Sequence, residues 1–188
     1  MMKKILMICA IIIGVAGLAS AAPTTLITFD EFPLGTAISN QYAPQGVIFT
    51  AATYNLPVIS MNGAMPTQPI LRPDGGPSMF AGDFWIKFIT PAIDVQFDSG
   101  YWDGLGTGVI NVYDPYMNPL ASLTNTTTGV NVTNITGWIG YIYFNSAKDG
   151  AGADIDNLGF TPIPAPGAIL LSSIGLGVVS WLRRRRTL

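Results

Sequence analysis

Between residues 22 and 162 the chain alternates short apolar and polar runs, broken by turn-forming residues. Phe84-Trp85-Ile86-Lys87-Phe88 and Ile93-Asp94-Val95-Gln96-Phe97-Asp98 repeat with a period of two, which is the repeat of a β-strand whose successive side chains point to opposite faces. The spacing predicts Phe84, Ile86 and Phe88, then Ile93, Val95 and Phe97, on one buried face. Lys87, Asp94, Gln96 and Asp98 then face water. Segments 26–29, 46–50 and 57–60 precede these two, and 109–113, 120–123, 138–144 and 154–160 follow, with Ile110 and Val112 turned inward. Pro73-Asp74-Gly75-Gly76-Pro77, Asp98-Ser99-Gly100, Asp103-Gly104 and Lys148-Asp149-Gly150 separate the runs; such residues preset or permit turn dihedrals. No stretch between the ends carries an amphipathic helical repeat. Eight or nine short strands, each with one buried face, predict an all-β fold of two stacked antiparallel sheets, a β-sandwich of the jelly-roll kind.

Both ends depart from this pattern. Lys3 and Lys4 precede an apolar run over 5–18 and the small residues Ala19-Ser20-Ala21, the layout of a secretory signal peptide over 1–21, cut after Ala21. Cys9 is the single cysteine and lies inside that run, so the mature domain is expected to hold no disulfide. At the other end come Pro164-Ala165-Pro166-Gly167, an apolar stretch over 168–182, and Arg183, Arg184, Arg185 and Arg186. As a helix those fifteen residues reach about 22 Å against a hydrocarbon core of about 30 Å. A short transmembrane helix is predicted, with Trp181 at the headgroups and the arginines snorkelling beyond it. Clustered arginines stay cytoplasmic, which places the preceding domain outside the inner membrane.

The proline motif, the short apolar helix and the terminal arginines, in that order over 164–188, resemble the PEP-CTERM sorting signal of exopolysaccharide-producing bacteria. Ala165 stands where the usual motif has Glu, as in a Pro-Ala-Pro-Gly variant. The resemblance implies an exosortase-type processing enzyme that cuts near the motif and passes the protein to the cell surface or matrix. A plain C-terminal membrane anchor is the other reading. Ile27-Thr28-Phe29-Asp30-Glu31-Phe32-Pro33-Leu34-Gly35-Thr36 and Asp154-Ile155-Asp156-Asn157-Leu158-Gly159-Phe160 further look like the opening and closing segments of PEP-CTERM ectodomains. That likeness implies first and last strands side by side, as in galactose-binding-like jelly rolls. The expected organisation is therefore a signal peptide at 1–21, an ectodomain at 22–162 and a sorting signal at 163–188.

Composition narrows the chemistry. Of 188 residues, 49% are hydrophobic and 11% charged, which fits a folded domain and not a disordered one. Six of the nine cations sit at the ends; Arg72, Lys87 and Lys148 remain against all eleven acids, a balance of −8 for the middle. Nucleic acid is excluded as a partner by that sign. There is no histidine, and Glu31 is the only glutamate, so Ser–His–Asp and Cys–His sites and a histidine general base are absent, and no enzyme is expected. If the first and last strands pair, Asp30 and Glu31 approach Asp154 and Asp156, with Asn157 beside them. Such a set of hard oxygens suits a structural calcium ion, or it is a solvated acidic edge that discourages strand-to-strand aggregation.

Aromatic residues are the other candidates, because exposed Trp and Tyr stack on sugar rings while Asp and Asn bind hydroxyls. Trp102, beside the Asp103-Gly104 turn, is expected to be exposed and ligand-binding. Trp85 and Trp138 are expected in the core, and Tyr113, Tyr116 and Tyr141 alternate with core positions. Asn125, Asn131 and Asn134 each head an Asn-X-Thr triplet, a glycosylation sequon in a host with an N-glycosylation system; composition alone also produces such triplets in a Thr/Asn-rich loop, and that is the reading preferred. The function expected is a non-catalytic, exported surface or extracellular-matrix protein associated with polysaccharide; a membrane-tethered periplasmic ligand-binding module is the alternative, with an extracellular hydrolase ranked last.

Overall fold

The computed structural model describes residues 24–53, 55–61, 65, 67–74, 82–100, 102–145 and 154–163. The signal segment expected at 1–21, and Pro164 to Gly167, the apolar stretch 168–182 and the arginines 183–186, lie outside these residues. Among the described residues there is no α-helix, and none long and apolar enough to cross a membrane.

The described residues form ten strands: β1 (Thr25–Ile27), β2 (Val47–Ala51), β3 (Val58–Ser60), β4 (Ile70–Arg72), β5 (Phe84–Gly100), β6 (Val109–Tyr113), β7 (Pro119–Thr124), β8 (Asn131–Ile135), β9 (Ile139–Asn145) and β10 (Asp154–Pro162). All pairings are antiparallel, in the order β3-β4-β10-β5-β9-β6-β7, with β1 on β10 and both β2 and β8 on β5. The all-β antiparallel class expected from the alternation is what the chain adopts. The expected neighbours also meet, with Ile27 of β1 opposite Leu158 of β10.

The two runs read as separate strands at 84–88 and 93–98 are one seventeen-residue strand, β5. Its first half lies between β2 and β9, and its second half between β8 and β10. Near Pro91 the register against β9 shifts, as suits a residue with no ladder donor. Phe97 of the second half meets Phe144 of β9 at 5.3 Å, and Phe88 of the first half meets Phe160 of β10 at 5.0 Å. The core therefore lies between two layers that β5 connects.

Two residues adjust which side chains reach that core. Asp94, with φ at 53°, marks a shift in the β5–β10 register, and Ala92, Val95 and Phe97 are buried where strict alternation put Ile93 inward. Asn157, with φ at 52°, marks the second shift, in β10. It lets Ile155, Leu158 and Phe160 all join the core. Asp and Asn tolerate left-handed dihedrals better than other side chains do, and bulges form where one residue is added to a strand. Strands β4 and β8 had no strong period of two in the sequence: β4 has only three residues, and β8 is the polar segment Asn131-Val132-Thr133-Asn134-Ile135.

Candidate binding surface

On the layer formed by β2, the first half of β5, β9, β6 and β7, the residues that alternate with the core make the outer face. The register gives two cross-strand rows. Thr50, Trp85, Tyr143, Asn111 and Ser122 are successive partners in one, and Ile48, Lys87, Tyr141 and Tyr113 in the next. Four aromatic rings thus share a few neighbouring positions on one sheet face, about 7 Å apart along each strand. The Trp85 ring stacks on Tyr143 with centroids 4.5 Å apart and 25° between planes, and it lies 5.6 Å from Tyr113. Lys87 Nζ stands 5.7 Å above the Tyr141 ring, within cation–π range. All four rings are partly exposed.

Polar anchoring fixes the plane. Tyr143 Oη donates to Asp83 Oδ2 at 2.7 Å, and the Asp83 N–H donates to Thr53 Oγ1 at 2.8 Å. Burial, then the Asp83 hydrogen bond, pushes the Tyr143 phenol up to about 12, so it stays a neutral donor across the physiological range. Beyond the rows, the turn after β6 sets Tyr116, 72% exposed, edge-on against Trp138, 44% exposed, at 5.6 Å. The turn is built by Asp114, whose Oδ1 accepts from the Tyr116 and Asn118 N–H groups. The Asn118 side chain adds a bond to Oδ2, and these donors hold the Asp114 carboxyl below its usual range.

The tryptophans thereby reverse their expected places. Trp102 is 3% exposed and belongs to the core. It presents no free face to a sugar ring, which corrects its assignment as an exposed stacking residue. Trp85 and Trp138, expected in the core, lie outside it. The signal for Trp85 was in the alternation itself, since it shares its phase with Lys87. Tyr143 and Asp83 were not singled out from the sequence; cross-strand register brings Tyr143 to the face, its hydroxyl reaches back to the buried Asp83 just before β5, and a single strand's pattern does not contain register.

The carboxylates expected around calcium are divided. Glu31 Oε2 accepts from Tyr42 Oη at 2.9 Å, inside an edge-to-face cluster of Phe29, Phe32, Tyr42 and Phe49. Burial raises the Tyr42 phenol, and Glu31 and Asp30 raise it further. Asp154 and Asp156 are buried. Asp156 accepts from the Thr67 hydroxyl and, at 2.8 Å, from the Asn157 N–H. The Asn157 side chain donates at 2.8 Å to Asp98 Oδ2. Burial raises the Asp156 carboxyl; the Thr67 and Asn157 bonds lower it, while the negative charges of Asp98 and Asp30 add to the rise. Among the described residues no group of three or more His, Cys, Asp and Glu side chains is placed to hold a metal ion. The β1–β10 pairing is as expected, but the quartet of Asp30, Glu31, Asp154 and Asp156 does not close.

No family model matches the chain, and no curated protein matches it. Among solved structures, a mutant of the family 29 carbohydrate-binding module CBM29-2 aligns with 64% of this chain and 98% of its own, at 16% identity and a TM-score of 0.34.

Proposed function

We propose that this chain is an exported, non-catalytic protein of the cell surface or extracellular matrix that holds polysaccharide on the outer aromatic face of its β-sheet. The observation that carries the reading is the ring cluster of Trp85, Tyr113, Tyr141 and Tyr143, partly exposed on adjacent strands and held in plane by stacking and by Asp83. Sugar rings have apolar C–H faces that lie on such planes, and Asn111, Ser122 and Thr50 on the same rows supply partners for hydroxyl edges. In this reading the two layers are a jelly roll of the galactose-binding-like kind. The ends are addresses: a signal peptide at 1–21, and a PEP-CTERM-like signal at 164–188 that engages the membrane before an exosortase-type enzyme cuts it.

Binding is tested by retention of the protein on the producing cells' own polysaccharide and on a soluble neutral glucan. Trp85→Ala and Tyr141→Ala are each expected to weaken retention about tenfold, or about 1.4 kcal/mol. Unchanged retention in both variants removes the aromatic face as the site. Mass spectrometry of the protein recovered from cells addresses the ends. Loss of everything after the Pro164–Gly167 motif supports sorting, whereas retention of Arg183 to Arg186 makes the protein a membrane-tethered ligand-binding module.

A further inference from the structure

Strands β7 and β8 are consecutive in the chain, yet they lie at the free edges of different layers and do not pair. Where the edges face each other a cleft of about 230 Å³ opens. Ile110 and Leu123 give it apolar lining, and Ser99, Thr124, Thr133 and Asn134 give it hydroxyl and amide lining. None of its lining residues is charged. Ser99 is the most buried of them at 1% exposure, and its hydroxyl has no hydrogen-bond partner. A buried hydroxyl left unpaired costs free energy that evolution usually recovers with a partner, so this one marks a place where a partner arrives from outside.

The wall that links the two edges is braced by side-chain hydrogen bonds. Asn125 Oδ1 accepts from the Gly108 N–H at 3.0 Å, and its Nδ2 donates to the carbonyls of Gly104 and Thr127 at 2.7 and 3.0 Å. Asn131 Oδ1 accepts from the Thr126 and Thr127 N–H groups, while its Nδ2 donates to the carbonyls of Thr127 and Gly129. Two of the three Asn-X-Thr asparagines therefore hold the loop from inside, which preorganises the cleft at no cost to a ligand.

We infer that the cleft between β7 and β8 is a second binding site, one that takes a single neutral sugar ring, with Ser99 and Thr133 as hydrogen-bond partners and Ile110 and Leu123 against its C–H face. The volume admits about eight waters at their liquid share of about 30 Å³, enough for one ring. The absence of charge disfavours phosphates, carboxylates and amines, which need a counter-charge when desolvated. The inference rests on the polysaccharide reading for its ligand class only; its residues and geometry are separate from the aromatic face.

The test uses the full chain in a detergent without a sugar headgroup, titrated with glucose, galactose, mannose, xylose and N-acetylglucosamine while backbone amide shifts are followed by NMR. At least one sugar is expected to bind with a Kd of about 1 mM, as befits so small a ligand, with shifts at Ser99, Leu123 and Thr133. Ser99→Ala is expected to weaken it about tenfold without lowering the melting temperature, since it removes an unpaired hydroxyl. Thr133→Val, of matching shape, is expected to weaken it as well. Trp85→Ala should leave it unchanged. No shift for any of the five sugars at about 50 mM, well above that Kd, overturns the site, as do shifts confined to the aromatic face or binding indifferent to both cleft variants. Cleft binding without retention on polysaccharide supports this site and removes the aromatic face instead.

Discussion

Trp102 and Gly108 form a lock that depends on a missing side chain. A Cβ added at Gly108 would stand 2.0 Å from the Trp102 ring, so the indole lies directly on the backbone before β6. The same backbone is tied by its N–H to Asn125. Trp102→Ala is expected to cost about 3–5 kcal/mol, the range for emptying a large aromatic site in a core. Gly108→Ala is expected to destabilise through overpacking by about 1–3 kcal/mol. Urea unfolding measures both, and the folded fraction of each variant should still be retained on polysaccharide, because neither residue touches the aromatic face. A loss of retention by folded Trp102→Ala would return this residue to the binding surface. The sequence placed Trp102 outside because Asp103-Gly104 follows it, and a turn does put backbone at the surface. It does not decide where the preceding side chain goes, and the slot over Gly108 exists only after the loop 102–108 has closed.

At the scale of strands, the alternation in β5, β6 and β9 was legible because one face of each packs on the core and the other does not. What the alternation does not contain is the extra residue. Asp94 and Asn157 look like ordinary polar positions in a strand, and their left-handed dihedrals reset the phase of everything that follows. The bulge at Asn157 also assembles the group of Asp156, Thr67 and Asp98 around its own amides, a grouping that strict alternation would have scattered. It has a consequence for stability against pH. Burial raises the Asp156 carboxyl in the folded protein, so the folded state holds that proton to higher pH than the unfolded chain does. Stability from this group is full below the ordinary carboxylate range and falls as pH rises through the raised value. Asp156→Asn is therefore expected to be more stable than the parent chain at pH 7, with the difference shrinking toward pH 3, as melting curves across that span will measure. Because Glu31 is held by Tyr42, millimolar calcium is expected to leave the parent melting temperature unchanged. A rise on adding calcium, abolished in Asp156→Asn, would show that the carboxylates gather around a cation after all.

For the whole molecule the dominant fact is the separation of charge from the proposed binding face. The middle of the chain carries −8, while the aromatic rows carry one charged residue, Lys87, engaged with the Tyr141 ring. Contacts made by ring faces and neutral hydroxyl partners have little Coulomb content, so salt should hardly alter them. Released from cells, the protein is expected to bind a neutral glucan with less than about a twofold change between ionic strengths of about 0.01 M and 1 M, over which the Debye length falls from about 30 Å to about 3 Å. A uronate-rich polysaccharide meets a net negative partner, and its retention should rise several-fold as salt screens that repulsion. Affinity electrophoresis in gels containing either polymer separates the two cases. The opposite trend, uronate held more tightly at low salt, would mean that Arg72, Lys87 or Lys148 makes the contact, and the neutral aromatic platform would lose its role.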